Sequence, residues 1–181
     1  ITTLKRMLLL SGGYWILGKI GLSLALIHPS ASAIWPPTGF SLAMMLILGP
    51  KIWPAFFAGA FLLNLTTAGN LFNSLGIASG NTLEALTGYL LVTRFADGRN
   101  AFETPSNIFR YVLCGSLIPS IISASIGVLS LAFFKYFGWS QSIHIWITWW
   151  IGDAVSALLI TPFILIWFKK SAERWTPVRI L

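Results

Sequence analysis

Charge, sulfur and histidine are scarce in this chain. Five acidic and twelve basic residues bring the charged fraction to 9% of 181 positions, against roughly 25% in soluble domains. That shortage excludes an ordinary solvated globular surface. Cys114 is the single cysteine, so no internal disulfide can form and the chain says nothing of redox compartment. His28 and His144 are the only histidines, and two of them without a cysteine or carboxylate partner make a poor metal set. The sequence has no phosphate-binding glycine loop, no metalloprotease helix motif, no internal repeat and no low-complexity stretch. Ser79 in Gly76-Ile-Ala-Ser-Gly80 lacks a Gly-x-Ser-Gly spacing. His144 reads as a surface residue, out of reach of a serine at membrane depth, so hydrolase chemistry is disfavoured. The chain reads as a non-enzyme.

What is abundant is apolar. Hydrophobic residues make up 56%, against about 45–50% in soluble domains. One core of this length could not hide that much apolar surface from water, so a bilayer is the better solvent. Apolar segments fall near 7–27, 34–48, 52–68, 72–93, 107–134 and 145–168. A span needs about 20 residues. The second and third segments are short and carry Pro36, Pro37 and Pro54, whereas the fifth is long enough to tilt. The first could pass for a signal peptide ending at Ala31-Ser32-Ala33, but it exceeds a typical apolar signal core and Lys19 interrupts it. The pattern predicts an all-α, polytopic transmembrane helix bundle of six spans.

Basic residues set the orientation. Lys5, Arg6, Lys51, Arg94, Arg99, Arg110, Lys169, Lys170, Arg174 and Arg179 fall on one side, Lys135 alone on the other, and Lys19 within a span. This asymmetry predicts both termini in the cytoplasm. It also accounts for the net charge of +7 through attraction to an anionic leaflet, so no nucleic-acid partner is needed. Trp35, Trp139 and Trp146 then mark the outer face, with Trp53, Trp167 and Trp175 at the inner one. The one substantial loop, 94–106, holds an Asp97-Gly98 turn and a Thr104-Pro105 helix start. Residues 1–170 read as one integral-membrane domain and 171–181 as a cytoplasmic tail.

Lys19, Glu84 and Asp153 are the only ionisable groups well inside the spans. Helical rise puts all three roughly 12–18 Å below the outer surface. Asn64 and Asn81 reach a similar depth, and Asn81 shares a helix face with Glu84 three residues on. Between Ile34 and Gly39, paired prolines break a tryptophan-marked apolar run, and irregular backbone at membrane depth is a place to look for function. One reading is a polar pocket that opens outward beneath Trp35–Gly39. Its ligand-binding residues would be Lys19, Trp35, Pro36, Thr38, Gly39, Asn64, Asn81, Glu84, Trp149, Trp150 and Asp153. The other reading is a structural salt bridge of Lys19 with Glu84 or Asp153, since buried pairs are weak evidence of function. One lysine against two carboxylates leaves an acid unmatched, which favours a ligand, an ion or a protonated acid. Trp149-Trp150 suits either aromatic stacking or interfacial anchoring. Gly76-x-x-x-Gly80, Ser123-x-x-x-Gly127 and Gly152-x-x-x-Ser156 are spacings that let helices approach. No metal site and no particular cofactor is implied.

Several sequence words are shared with a known family. Trp35-Pro36-Pro37-Thr38-Gly39, Trp53-Pro54 with Gly59, and Trp149-Trp150-Ile151-Gly152-Asp153 with Thr161-Pro162 resemble the membrane-associated sensor (MASE-type, first class) domains of bacterial signalling proteins. The likeness runs in order from about residue 7 to residue 168. It implies a multi-pass sensory input domain of the bacterial inner membrane that binds a small ligand. Its output partner would be a cytoplasmic histidine kinase or diguanylate cyclase module, and homodimer assembly stays open. Domains of that family generally have more than six spans, so either a piece or a compact variant fits. A second function fits six helices with both ends inside: the substrate-binding membrane subunit of an energy-coupling-factor type transporter.

Overall fold

A computed structural model of the protein describes residues 2–24, 32, 34–68, 70–136 and 138–172. His28, Ala31, Ala33, Arg174, Trp175 and Arg179 lie outside them. Six helices carry the described chain, with no strand among those residues. They are α1 (Thr3–Ser23), α2 (Pro36–Leu48), α3 (Trp53–Ala68), α4 (Leu71–Phe95), α5 (Pro105–Phe133) and α6 (Ser142–Ala172). Short 3-10 turns at Pro50–Ile52, Gly98–Asn100 and Trp139–Gln141 lead into α3, α5 and α6.

Local chemistry sets the helix starts. The Asn70 side chain caps α4 by accepting from the Asn73 amide at 2.9 Å. Thr104 caps α5 ahead of Pro105, its hydroxyl accepting from the Asn107 amide at 3.4 Å. Asp97 and Gly98 take positive φ values of 63° and 57° and turn the chain there. Within α5, Val112–Leu117 widens to a π-turn just before Pro119. A proline inside a helix removes one donor and crowds the preceding turn, and a widened turn accommodates both effects.

The shortest helix is the central one. α2 packs on α1, α4 and α6, while α3 bridges α1 to α4 and α5 bridges α4 to α6. Pro36–Gly39 and Ser41–Leu46 are all buried, as expected of a helix that is apolar all round. A buried helix start must still satisfy four backbone N–H positions. Pro36 and Pro37 have no N–H to satisfy. The Thr38 N–H donates to the Trp35 carbonyl at 3.1 Å, and the Trp35 N–H donates to Ser156 Oγ at 2.7 Å. The double proline therefore does not leave backbone groups open; it removes two donors that burial would have stranded. At the other end, Arg99 Nε donates to the Leu46 carbonyl at 2.6 Å and Nη2 to the Ile47 carbonyl.

The exterior is apolar. Leu8, Ile20, Leu62, Phe72, Leu90, Phe109, Phe133, Leu159 and Phe163 are all largely exposed, spread over every helix but α2. A contiguous apolar surface on that scale faces lipid or a partner rather than water. The stretches Pro105–Phe133 and Trp139–Phe168 are long and apolar enough to cross a membrane.

Candidate functional site

Two carboxyl groups meet at the start of α2. Thr38 lies in its first turn, with its hydroxyl 3.1 Å from Glu84 Oε2 of α4 and 3.0 Å from Asp153 Oδ1 of α6. All three side chains are buried, Asp153 completely. Helix α5 adds Ser120, whose hydroxyl lies 2.8 Å from Glu84 Oε1 and 2.8 Å from the Ser116 carbonyl. A second branch runs alongside. The Trp149 indole N–H donates to Ser123 Oγ at 3.1 Å, and the Ser123 hydroxyl donates to Asn81 Oδ1 at 2.8 Å. Helix α1 brings Tyr14, whose hydroxyl neighbours the Trp35 indole and the Asn81 amide and is within electrostatic reach of both carboxyls.

The network is incompletely satisfied. Among the described residues, Tyr14 Oη, Trp35 Nε1, Asn81 Nδ2 and Asp153 Oδ2 are buried without a well-formed hydrogen bond, the first three facing one another. Most buried polar groups in folded proteins are paired, so loosely satisfied atoms around one pair of carboxyls mark a place with room for further hydrogen bonding. The start of α2 also places the positive end of a helix dipole toward the two carboxyls.

Packing at this junction leaves little slack. A Cβ on Gly39 would run into the Ser156 backbone carbonyl and would stand 2.7 Å from Ile160 Cβ. Only glycine lets α2 and α6 approach this closely, and the Gly39 carbonyl accepts from Thr161 Oγ1 at 3.0 Å across the same contact. The small-residue spacings serve packing as well: Gly80 faces Ile126, and Gly127 lies under the Trp149 ring.

The structure thus brings Thr38, Asn81, Glu84, Trp149 and Asp153 together, with Trp35 and Pro36 at the buried entrance of α2. Gly39 lies one residue beyond Thr38, against α6. Lys19 is elsewhere. Its ammonium donates to Thr67 Oγ1 at 3.2 Å and stands 5.4 Å from the Trp15 ring centroid. Helix α1 ends at Ser23, so Lys19 falls in its last turns, beside the end of α3. Tyr14, five residues earlier and about 7.5 Å along the helix, takes the place expected of Lys19. A salt bridge from Lys19 to Glu84 or Asp153 is therefore not what holds the carboxyls. Asn64 is also outside the network, its amide donating to the Ala60 carbonyl of its own helix at 2.8 Å. Trp150 is half-buried; its N–H donates to the Leu117 carbonyl at 3.0 Å and its ring stacks on Trp146. An open apolar groove of about 410 Å³, lined by Val128, Leu129, Trp139 and Trp146 among others, holds none of the cluster.

Sequence reasoning does not mark Tyr14 or Ser120, and reads Ser123 and Ser156 only as small residues that let helices approach. Ser116, Ser120 and Ser123 recur at helical spacing within an otherwise apolar run, so a polar stripe on α5 was legible there. Tyr14 offers no such signal.

Helices with an apolar exterior, closed around a buried acidic cluster, define a membrane-associated helical domain. The chain belongs to the MASE1 family, whose model matches residues 6–174. MASE1 is a membrane-associated sensory input domain, not a catalytic one, found in membrane signalling proteins with cytoplasmic output domains. No curated protein matches the chain, and no solved structure does.

Proposed function

We propose that this chain is the ligand-responsive input domain of a bacterial signalling protein, and that the Thr38–Glu84–Asp153 junction is where the input acts. One observation carries the reading. Carboxyls from α4 and α6 converge on a single hydroxyl at the head of the central helix, so any change at the carboxyls bears on how three helices pack. A ligand that prefers one packing over another shifts the balance between them by its difference in affinity. The loosely satisfied Trp35, Asn81 and Asp153 atoms, with Tyr14, are the groups such a ligand would satisfy.

In this reading the six helices cross the inner membrane with both ends in the cytoplasm. Lys51, Arg94, Arg99 and Arg110 are then on the cytoplasmic side and Lys135 on the outer one, the asymmetry expected of that topology. Helix α6, which carries Asp153, would pass the change to a histidine kinase or cyclic-dinucleotide module. The test is Asp153→Asn in the signalling protein that carries this domain. Asparagine keeps shape and removes the acid, so output should change while membrane abundance stays normal; Glu103→Gln, at an exposed acid, should leave output as it was. Unchanged output at normal abundance would overturn the proposal.

A further inference from the structure

The contacts of Glu84 and Asp153 can be counted proton by proton. Three of them, with the further bond of Ser120 to Ser116, form one chain of four: Asp153 Oδ1 to Thr38 Oγ1, Thr38 Oγ1 to Glu84 Oε2, Glu84 Oε1 to Ser120 Oγ, and Ser120 Oγ to the Ser116 carbonyl. Each hydrogen bond needs one proton. A hydroxyl supplies one, an ionised carboxylate none, and a backbone carbonyl none. Thr38 and Ser120 together supply two protons for four contacts.

Only one assignment fills all four. The carbonyl of Ser116 can only accept, so the Ser120 proton goes there. Glu84 Oε1 must then donate to Ser120, which leaves Glu84 Oε2 to accept from Thr38. With its own proton spent, Thr38 must receive one from Asp153 Oδ1. We infer that Glu84 and Asp153 form a two-proton binding site: both carboxyls are protonated, and Thr38 and Ser120 join them into a single one-way hydrogen-bonded chain.

The surroundings agree. Among the described residues, the titratable groups facing the pair are each other and Tyr14 of α1; the remaining polar neighbours are Thr38 of α2, Ser120 and Ser123 of α5, and Trp149 of α6. Lys19, the one basic residue on a neighbouring stretch of α1, is engaged with Thr67 and Trp15. An ionised pair would place two negative charges side by side in a buried site that no described cation faces, the costliest of the available arrangements. Asp153 Oδ2, which makes no well-formed hydrogen bond among the described residues, is tolerable as the carbonyl oxygen of a neutral acid and far less so as half of a carboxylate. Loss of the Asp153 proton would break the chain at Thr38 and so loosen the head of α2 from α4 or α6, whereas loss of the Glu84 proton would break it at Ser120 and so loosen α4 from α5. The site thereby responds to protons, whether or not a small molecule also enters.

Infrared absorption distinguishes a protonated carboxyl from a carboxylate by its C=O stretch. In the purified protein in lipid nanodiscs at neutral pH, two protonated-carboxyl bands are expected. Glu84→Gln should remove one and Asp153→Asn the other, while Thr38→Val should keep both and shift them, because each loses its hydroxyl partner. Glu103→Gln, Asp97→Asn and Glu173→Gln should leave both bands in place. The wild-type spectrum is decisive even where a variant fails to fold. One protonated carboxyl or none, or two bands untouched by Thr38→Val, would overturn the inference. Because no output is read, this result stands apart from the test of the sensory role.

Discussion

Replacing Gly39 by alanine probes the contact on which the whole junction depends. The added methyl would collide with the Ser156 carbonyl and with Ile160 Cβ. The first of these is backbone and cannot rotate away, so α2 and α6 must move apart. Overpacking of this kind costs about 1–3 kcal/mol. Separation also stretches the Trp35–Ser156 bond of 2.7 Å, the Thr161–Gly39 bond of 3.0 Å and the Thr38–Asp153 contact of 3.0 Å. Each buried hydrogen bond contributes about 1 kcal/mol net. With partial relaxation, Gly39→Ala should lose about 3–5 kcal/mol of stability in all. A denaturant titration in detergent, followed by tryptophan fluorescence, reads the difference. Gly12→Ala is the matched control, since a Cβ there meets nothing within 4 Å; it should change stability by no more than about 1 kcal/mol, in the favourable direction. If Gly39→Ala were as stable as Gly12→Ala, the close approach of α2 to α6 would be wrong, and the carboxyl junction with it.

Two further outcomes follow from the same structure. In a Cys114→Ser background, cysteine at Gln141 should react with an impermeant thiol reagent added outside whole cells and cysteine at Asn100 should not; labelling at Asn100 would reverse the orientation. Lys19→Met should change stability by no more than about 1 kcal/mol, because an exposed hydrogen bond and a cation–aromatic contact are worth little, and it should leave output unaltered. Output that shifts as it does in Asp153→Asn would return Lys19 to the site.

The number of helices and their approximate positions were legible because long apolar runs, Thr104-Pro105 and Asp97-Gly98 are strong local signals. Glu84 and Asp153 stood out for an equally simple reason: an acid in an apolar run is costly and must have company. Lys19 was misplaced because apolar residues run on to Ile27, whereas the α1 helix stops at Ser23; hydropathy carries no mark of that stop. The central position of α2 could not be read either. Its apolar surface all round says that it is buried, but not that α1, α4 and α6 bury it. Periodicity places residues on a face without naming the face opposite, so Tyr14 and the α5 serines became site residues only once the helices were assembled.

The central claim is that the hydrogen-bonded junction at the head of α2, and not helix packing in general, sets the signalling state. Thr38→Val tests it most directly, since valine matches the shape of threonine and removes only the hydroxyl shared by Glu84 and Asp153. Output of the signalling protein should be measured at matched membrane abundance for Thr38→Val, Asp153→Leu and the two combined, because leucine removes the donor to Thr38 whereas asparagine would keep one. The account predicts that each single substitution shifts output in the same direction and that the double variant shifts it no further, as expected of groups acting through one contact. Normal output from Thr38→Val at normal abundance, or shifts that simply add, would contradict it.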